Sequence, residues 1–196
     1  AIMIEIKIDA NQIKRLIEAT GKAKKKFPKE LAAAINDVSR KTKVKIGKDI
    51  RAVVAIKTAE AKKPISIKSK ASAQQLSATV TLKKTKRLGL RHFGARQTKT
   101  GVSYKISKTG GRKSVAGAFQ GPTPNIRKMS WRGNVFKRVG SSRLPIIQLK
   151  GVSAFGAYAK NELSGPQVKT IEAELVKQME RRIKLNVLRA SGLVST

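Results

Sequence analysis

His92 is the only histidine in this chain, and there is no cysteine. A histidine that works as a general base needs a partner to orient it, most often a carboxylate. The acids are Glu5, Asp9, Glu18, Glu30, Asp37, Asp49, Glu60, Glu162, Glu172, Glu174 and Glu180, so the block from Ala61 to Asn161 that contains His92 offers none. An isolated histidine in a basic stretch reads as a surface or packing residue. Metal sites need clusters of His, Cys, Asp or Glu, and these acids are spread over the two ends without ligand spacing. Glu172 and Glu174 are two apart and do not share a helix face. Without cysteine the chain has neither disulfides nor thiolate zinc sites. No enzyme activity, metal or cofactor is expected.

What these residues can do is hold anions. The 101 residues from Ala61 to Asn161 carry 23 Lys and Arg, formally +23 of the chain's +33. A surface without carboxylates cannot neutralise itself, so nucleic acid, an acidic protein neighbour or an anionic membrane must do so. The candidate contacts are Lys83, Lys84, Lys86, Arg87, Arg91, Arg96, Lys99, Lys108, Arg112, Lys113, Arg138 and Arg143. Their clusters suit phosphate neutralisation without sequence readout. Acidic faces of neighbouring subunits would engage the same cations, and a solvated charged surface is the plainer alternative. Gly89, Gly94, Gly101, Gly110 and Gly111 do not match G-x-x-x-x-G-K-[ST]. Lys108–Lys113 would cradle a phosphate through backbone N–H groups and cations, against a plain exposed hairpin tip. Arg138 and Arg143 flank Gly140-Ser141-Ser142, a tight turn whose cations would clamp a carboxylate or phosphate. Aromatics are 4% of the chain, with one Trp, which argues against a single-strand reader that stacks bases. A charge of +33 also repels itself and destabilises a compact monomer. The native state is therefore expected inside an assembly.

The elements that must carry these cations follow from hydrophobic periodicity. Ile2, Ile4, Ile6 and Ile8 alternate with Met3, Glu5 and Lys7 as in a half-buried strand. Ile13, Leu16 and Ile17 put a helix over Asn11–Thr20. Pro28 opens a long second helix, its missing N–H being harmless in a first turn. Leu31, Ala34, Ile35, Val38, Thr42, Ile46, Ile50 and Val53 form its apolar stripe. Gly47 within it costs about 1 kcal/mol relative to Ala and suggests a bend or close packing. From Pro64 the period switches to two, over Ile65–Ile67, Leu76–Leu82 and Val102–Ile106. Shorter strands are predicted at Leu88–Leu90, Val115–Phe119, Trp131–Val139 and Leu144–Leu149, with turns at Gly110-Gly111 and Gly121–Pro124. Ser164-Gly165-Pro166-Gln167 fits a capping box. It starts a helix whose apolar face is Val168, Ile171, Leu175, Met179 and Ile183, continuing to Val187. The expected fold is α+β: an antiparallel sheet with a long N-terminal helix and a C-terminal helix. One domain is expected over 1–196, made of the strand and helices of 1–60, the basic β-rich 61–161, and the helix and tail of 162–196. No apolar run approaches 18 residues, so no membrane helix is expected, and the alternating opening does not fit a signal peptide.

A set of ordered segments resembles a known family. These are LRHFGARQTKTGVSYKI at Leu90–Ile106, Gly111-Arg112-Lys113, Gly117-Ala118-Phe119, Val135-Phe136-Lys137-Arg138, Ser142-Arg143-Leu144-Pro145-Ile146 and Gly151-Val152-Ser153. With the helix containing Ala33-Ala34-Ile35-Asn36 and the basic C-terminal helix, they are similar in order and spacing to the minor tail protein Z family of tailed phages and prophages. The most specific pieces are FGARQTK, VFKR and SRLPI. A proline is expected between Gly151 and Ser153, where this chain has Val152. The resemblance implies a structural role in the virion: completing the head-proximal end of the tail, near the head–tail junction, after assembly in the host cytoplasm. It also implies a homo-oligomer, a hexameric ring being expected from sixfold tail symmetry. The implied partners are the tail terminator or other neck and tail proteins, the tape measure protein and viral DNA, with no membrane. It supplies no binding residues. The alternative is a sequence-independent nucleic-acid-binding protein of ribosomal or chromatin type.

Overall fold

In the computed structural model, which describes residues 2–7, 27–121, 133–160 and 164–190, the alternating opening forms strand β1 (Ile2–Lys7). It pairs antiparallel with β3 (Ser77–Leu82), whose other side pairs with β2 (Ile65–Ser69). Directly opposed residues share a sheet face. The register sets Ile2, Leu82 and Ile65 in one row and Ile4, Val80 and Ile67 in the next. Ile4, Ile6, Ile65, Ala78, Val80 and Leu82 are buried, each large aliphatic contributing roughly 1.5–3 kcal/mol. A one-residue slip would turn this whole set to solvent, so the hydrophobic pattern fixes the register.

Helix α1 (Phe27–Val53) begins with Pro28 in its first turn. Its stripe is buried from Leu31 through Ala34, Ile35, Val38, Thr42 and Ile46 to Ile50, while Val53 is half-exposed. Gly47 is buried and the helix continues through it. Asn36 donates to the carbonyl of Ala71 and accepts from its N–H, both at 2.9 Å. One side-chain amide thus replaces a missing strand partner and fixes the segment after β2 to the helix.

Backbone contacts divide the chain into two interleaved units. The first comprises Ala1–Ile46, Ile65–Lys83 and Glu162–Thr196, and includes the sheet just described. The basic stretch 61–161 is therefore shared, since β2 and β3 belong to this unit. Short helix α2 (Thr58–Lys62) belongs to the second unit, Gly47–Pro64 with Lys84–Asn161. So do two more antiparallel sheets of three strands. One orders β4 (Arg96–Gln97), β5 (Gly101–Tyr104) and β6 (Lys113–Ala116); the other orders β7 (Ala118–Gln120), β8 (Val135–Arg138) and β9 (Ile146–Gln148). Helix α3 (Ala154–Lys160) buries Ala154, Ala157 and Tyr158. Burial, assisted by the charge of Asp49, pushes the Tyr158 hydroxyl up to about 12. The final helix α4 (Ser164–Ala190) belongs to the first unit and packs beside β1 with Ile171, Leu175 and Met179 buried.

The class is α+β, with antiparallel sheets and long N- and C-terminal helices. Several local expectations are corrected. Leu88–Leu90 is no strand: Gly89 makes a single bridge to Lys150, and a 3-10 turn follows at Leu90–Phe93. The expected strand Val115–Phe119 is cut at Gly117, whose φ of 69° is open to glycine but strained for other residues, so β6 and β7 enter different sheets. The stretch expected over Trp131–Val139 narrows, among its described residues, to β8. Helices α2 and α3 were not expected. The helix at Asn11–Thr20, most of the Gly121–Pro124 turn and the capping-box side chains lie outside the described residues.

Both α1 and α4 carry basic residues, and carboxylates join them. Arg182 on α4 reaches Glu30 at 3.2 Å and also Asp37, which Arg40 contacts as well; Lys41 contacts Glu174. Burial raises the Asp37 carboxyl, but hydrogen bonds from Arg182 and Arg40 outweigh this and hold it below its ordinary value of 3.8. The Lys41 hydrogen bond lowers Glu174, and the bond to Asp37 raises Arg182. Arg182→Gln should therefore lower the unfolding free energy by about 1–2 kcal/mol at neutral pH. A carboxylate with a depressed folded value stabilises fully above pH 3.8 and stops doing so as pH falls through that folded value. Urea unfolding should accordingly show the gap between wild type and variant closing in acid; a gap that stays constant with pH would contradict the clamp.

Candidate polyanion-binding surface

The second unit carries 23 Lys and Arg against two acids, Asp49 and Glu60. The first carries 21 against nine. Formal charge is therefore +21 in one and +12 in the other. Lys83 follows β3 in the first unit, and the other eleven predicted contact residues belong to the second. All twelve are exposed, yet the fold separates them into two kinds.

Four arginines are anchored. The segment after β3 is tied to 149–152 by Gly151 N–H to Leu88 O at 2.7 Å, Leu90 N–H to Leu149 O at 3.2 Å and Leu88 N–H to Val152 O at 3.4 Å. Arg87 Nε donates to the Gly151 carbonyl at 2.8 Å. Gly151 lies flat against a ring: a Cβ there would meet Phe93 Cε2 at 2.4 Å, and Phe93 is 1% exposed. On this segment the bonds use the Gly151 N–H and the carbonyls of Leu149, Gly151 and Val152, and none uses the Val152 N–H that a proline would remove. Arg112 Nη2 donates to Gly94 O at 2.8 Å and to the carbonyl and hydroxyl of Ser103 at 3.0 and 3.1 Å. The Arg138 guanidinium lies 5.2 Å from the Phe119 ring centroid. Arg91 Nε donates to His92 Nε2 at 3.1 Å.

Lys83, Lys84, Lys86, Arg96, Lys99, Lys108, Lys113 and Arg143 have no side-chain partner among the described residues. Lys99 sits on the β4–β5 turn, where Thr98 N–H and Oγ1 and Gln97 Nε2 all donate to the Gly101 carbonyl. The register brings part of the set together. Arg96, Ser103 and Ser114 form one row across β4-β5-β6, and Arg112 reaches Ser103 from the side. Val102 on the opposite face is fully buried. Two guanidinium groups and two hydroxyls therefore gather on the outer face, a donor set suited to phosphate or carboxylate oxygens. Sequence reasoning missed both serines; the alternation of Val102 and Tyr104 around Ser103 was the available signal. Lys113 stands opposite Tyr104 on the Val102 side and does not join the row. Arg138 ends β8 of a different sheet, and Arg143 lies in the turn between β8 and β9.

The phosphate cradle at Lys108–Lys113 is not formed. The Lys108 N–H donates to Val53 O at 2.9 Å, the Gly110 N–H to Ser107 Oγ at 3.2 Å, and Arg112 turns to Gly94 and Ser103. The plainer connecting loop is what the bonds describe. His92 does have a carboxylate neighbour, from just outside the acid-free block: Glu60 lies 3.6 Å from Nδ1, beyond a good hydrogen bond. Burial lowers His92, Glu60 pulls it up, and Arg91, Lys63 and Lys57 push it down, leaving it below 6.5. Its Nε2 already accepts from Arg91, so the lone pair a general base would use is occupied. Among the described residues no group of three or more His, Asp or Glu could hold a metal ion, and no helix is long and apolar enough to cross a membrane.

Anchored and unanchored arginines should respond differently to removal. Arg96→Gln is expected to flatten the salt dependence of duplex DNA binding, the slope of log K against log salt falling by about 0.9, with melting unchanged. Arg112→Gln is expected to flatten it and also lower stability by about 0.5–1.5 kcal/mol, because an exposed fork bonded to three acceptors is lost. Equal thermal effects of the two changes would refute the distinction. No family model, curated protein or solved structure matches the chain.

Proposed function

We propose that this chain is a structural protein of a tailed phage or prophage, acting as the minor tail protein Z family does. It completes the head-proximal end of the tail and supports joining to a filled head. The observation that carries the assembly role is the second unit's charge of 23 cations against two carboxylates. Such a unit reaches electroneutrality only through anions supplied from outside. The tail assignment rests on the ordered segments around FGARQTK, VFKR and SRLPI. In this role the chain forms a ring, of six copies in a sixfold tail, beside the tail terminator or other neck proteins. Its basic surface meets the DNA end, the tape measure protein or acidic neighbours, and the work is positional rather than catalytic. A second reading, favoured by the Arg96–Ser103–Ser114 row with Arg112 beside it, is a sequence-independent nucleic-acid-binding protein.

Deleting the chain from the phage that encodes it tests the first reading. Filled heads and unjoined tails should accumulate, purified chain should restore joining in the extract, and particle images should place it at the head-proximal end of the tail. Normal particles without the chain, with the chain recovered on host nucleic acid instead, would reject that reading in favour of the second.

A further inference from the structure

The hairpin of β8 and β9 combines exposed aliphatic surface with positive charge. Seven large hydrophobic side chains are exposed among the described residues, and three of them, Val139, Leu144 and Ile147 at 62, 67 and 50% exposure, fall within nine consecutive residues. Scattered exposed aliphatics need no explanation, whereas a cluster marks a contact surface. Lys137 is directly opposite Ile147 in the register, so these two share a sheet face, and Val139 follows at the end of β8. Arg143 adjoins Leu144 in the connecting turn, which the Val139 N–H closes onto Pro145 O at 3.1 Å. Arg138, on the other face, is held against Phe119.

These groups select among possible occupants. Aliphatic side chains offer no ring on which a base stacks, and a phosphodiester backbone gains nothing from covering them. A second copy of this chain brings the same net charge of +33 and only eleven carboxylates, of which Glu30, Asp37 and Glu174 are already paired with Arg182, Arg40 and Lys41. We propose that the β8–β9 hairpin docks an acidic segment of another protein that also carries apolar side chains. Carboxylates of that segment meet Lys137 and Arg143, and its apolar side chains cover Val139, Leu144 and Ile147. This holds whether or not the chain belongs to a tail.

The full chain is titrated with a short peptide alternating Glu and Val, one of equal length and charge alternating Glu and Gly, and a duplex DNA of random sequence. The Glu-Val peptide should bind about tenfold more tightly than the Glu-Gly peptide, the increment expected from covering two or three aliphatic side chains in part. In the triple variant Val139→Ser, Leu144→Ser, Ile147→Ser the two peptides should bind alike, with duplex affinity within about twofold of wild type. Serine at three exposed positions leaves the fold intact, which an unchanged melting curve verifies. The proposal is overturned if wild type does not discriminate between the peptides or if the triple variant still does. A triple variant that loses duplex binding as strongly as peptide binding overturns it too, since the tip would then be a nucleic-acid contact.

Discussion

Eleven carboxylates face 44 Lys and Arg in this chain, and where the fold places those carboxylates decides what each part can do. In the first unit three of them stand between two basic helices. Glu30 and Asp37 on α1 meet Arg182 from α4, and Glu174 on α4 meets Lys41 from α1. Two unit charges of like sign at contact distance repel by about 1 kcal/mol in water and by several times that near a protein surface. The apolar faces of α1 and α4 would have to overcome that repulsion without the carboxylates. With them, the charges guide the helices together, and Ile171, Leu175 and Met179 can be buried.

The second unit is built the other way. Adjacent strands lie about 5 Å apart, inside the roughly 8 Å over which physiological salt screens charge, so neighbouring cations on its sheets feel one another. Four of its guanidinium groups are held by neutral partners: carbonyls for Arg87 and Arg112, an aromatic ring for Arg138, an imidazole for Arg91. A neutral acceptor fixes the geometry of a cation without cancelling its charge. These anchored segments keep their shape and stay strongly positive, a combination that ion pairing would not give.

Long periodic elements were legible from the sequence. Alternating isoleucines specify β1, and the stripe from Leu31 to Ile50 specifies α1, because each repeats its period several times. Helices α2 and α3 have five and seven residues, too few turns for a period to show. The division into interleaved units was hidden because it depends on contacts between distant segments, such as Asn36 with Ala71 and Arg87 with Gly151. The candidate site was half legible. Composition exposed the acid-free block, but Arg112 and Arg143 look alike in sequence. Only the fold shows that the first holds a loop in place while the second stands clear. Alternation with Val102 and Tyr104 could place Ser103 on an outer face, but only the register of paired strands sets it and Ser114 beside Arg96.

Anchored and unanchored cations also differ in kind. Arginine's planar fork suits fixed carbonyl and ring partners, whereas lysine is a hydrated point charge on a flexible stem. The four anchored residues of the predicted set are all arginine, and six of the eight unanchored ones are lysine. Arginine therefore does much of the bracing in the second unit and lysine supplies much of its field. A lysine field attracts any polyanion over a distance set by salt and does not choose among them. Choice must come from short-range groups of defined geometry. The Arg96–Ser103–Ser114 row with Arg112 offers hydrogen-bond donors to oxygens, and the β8–β9 hairpin offers aliphatic surface beside cations. The same long-range attraction can thus end in two different short-range contacts, and a chain with both can hold a phosphate backbone and an acidic protein segment on separate sheets.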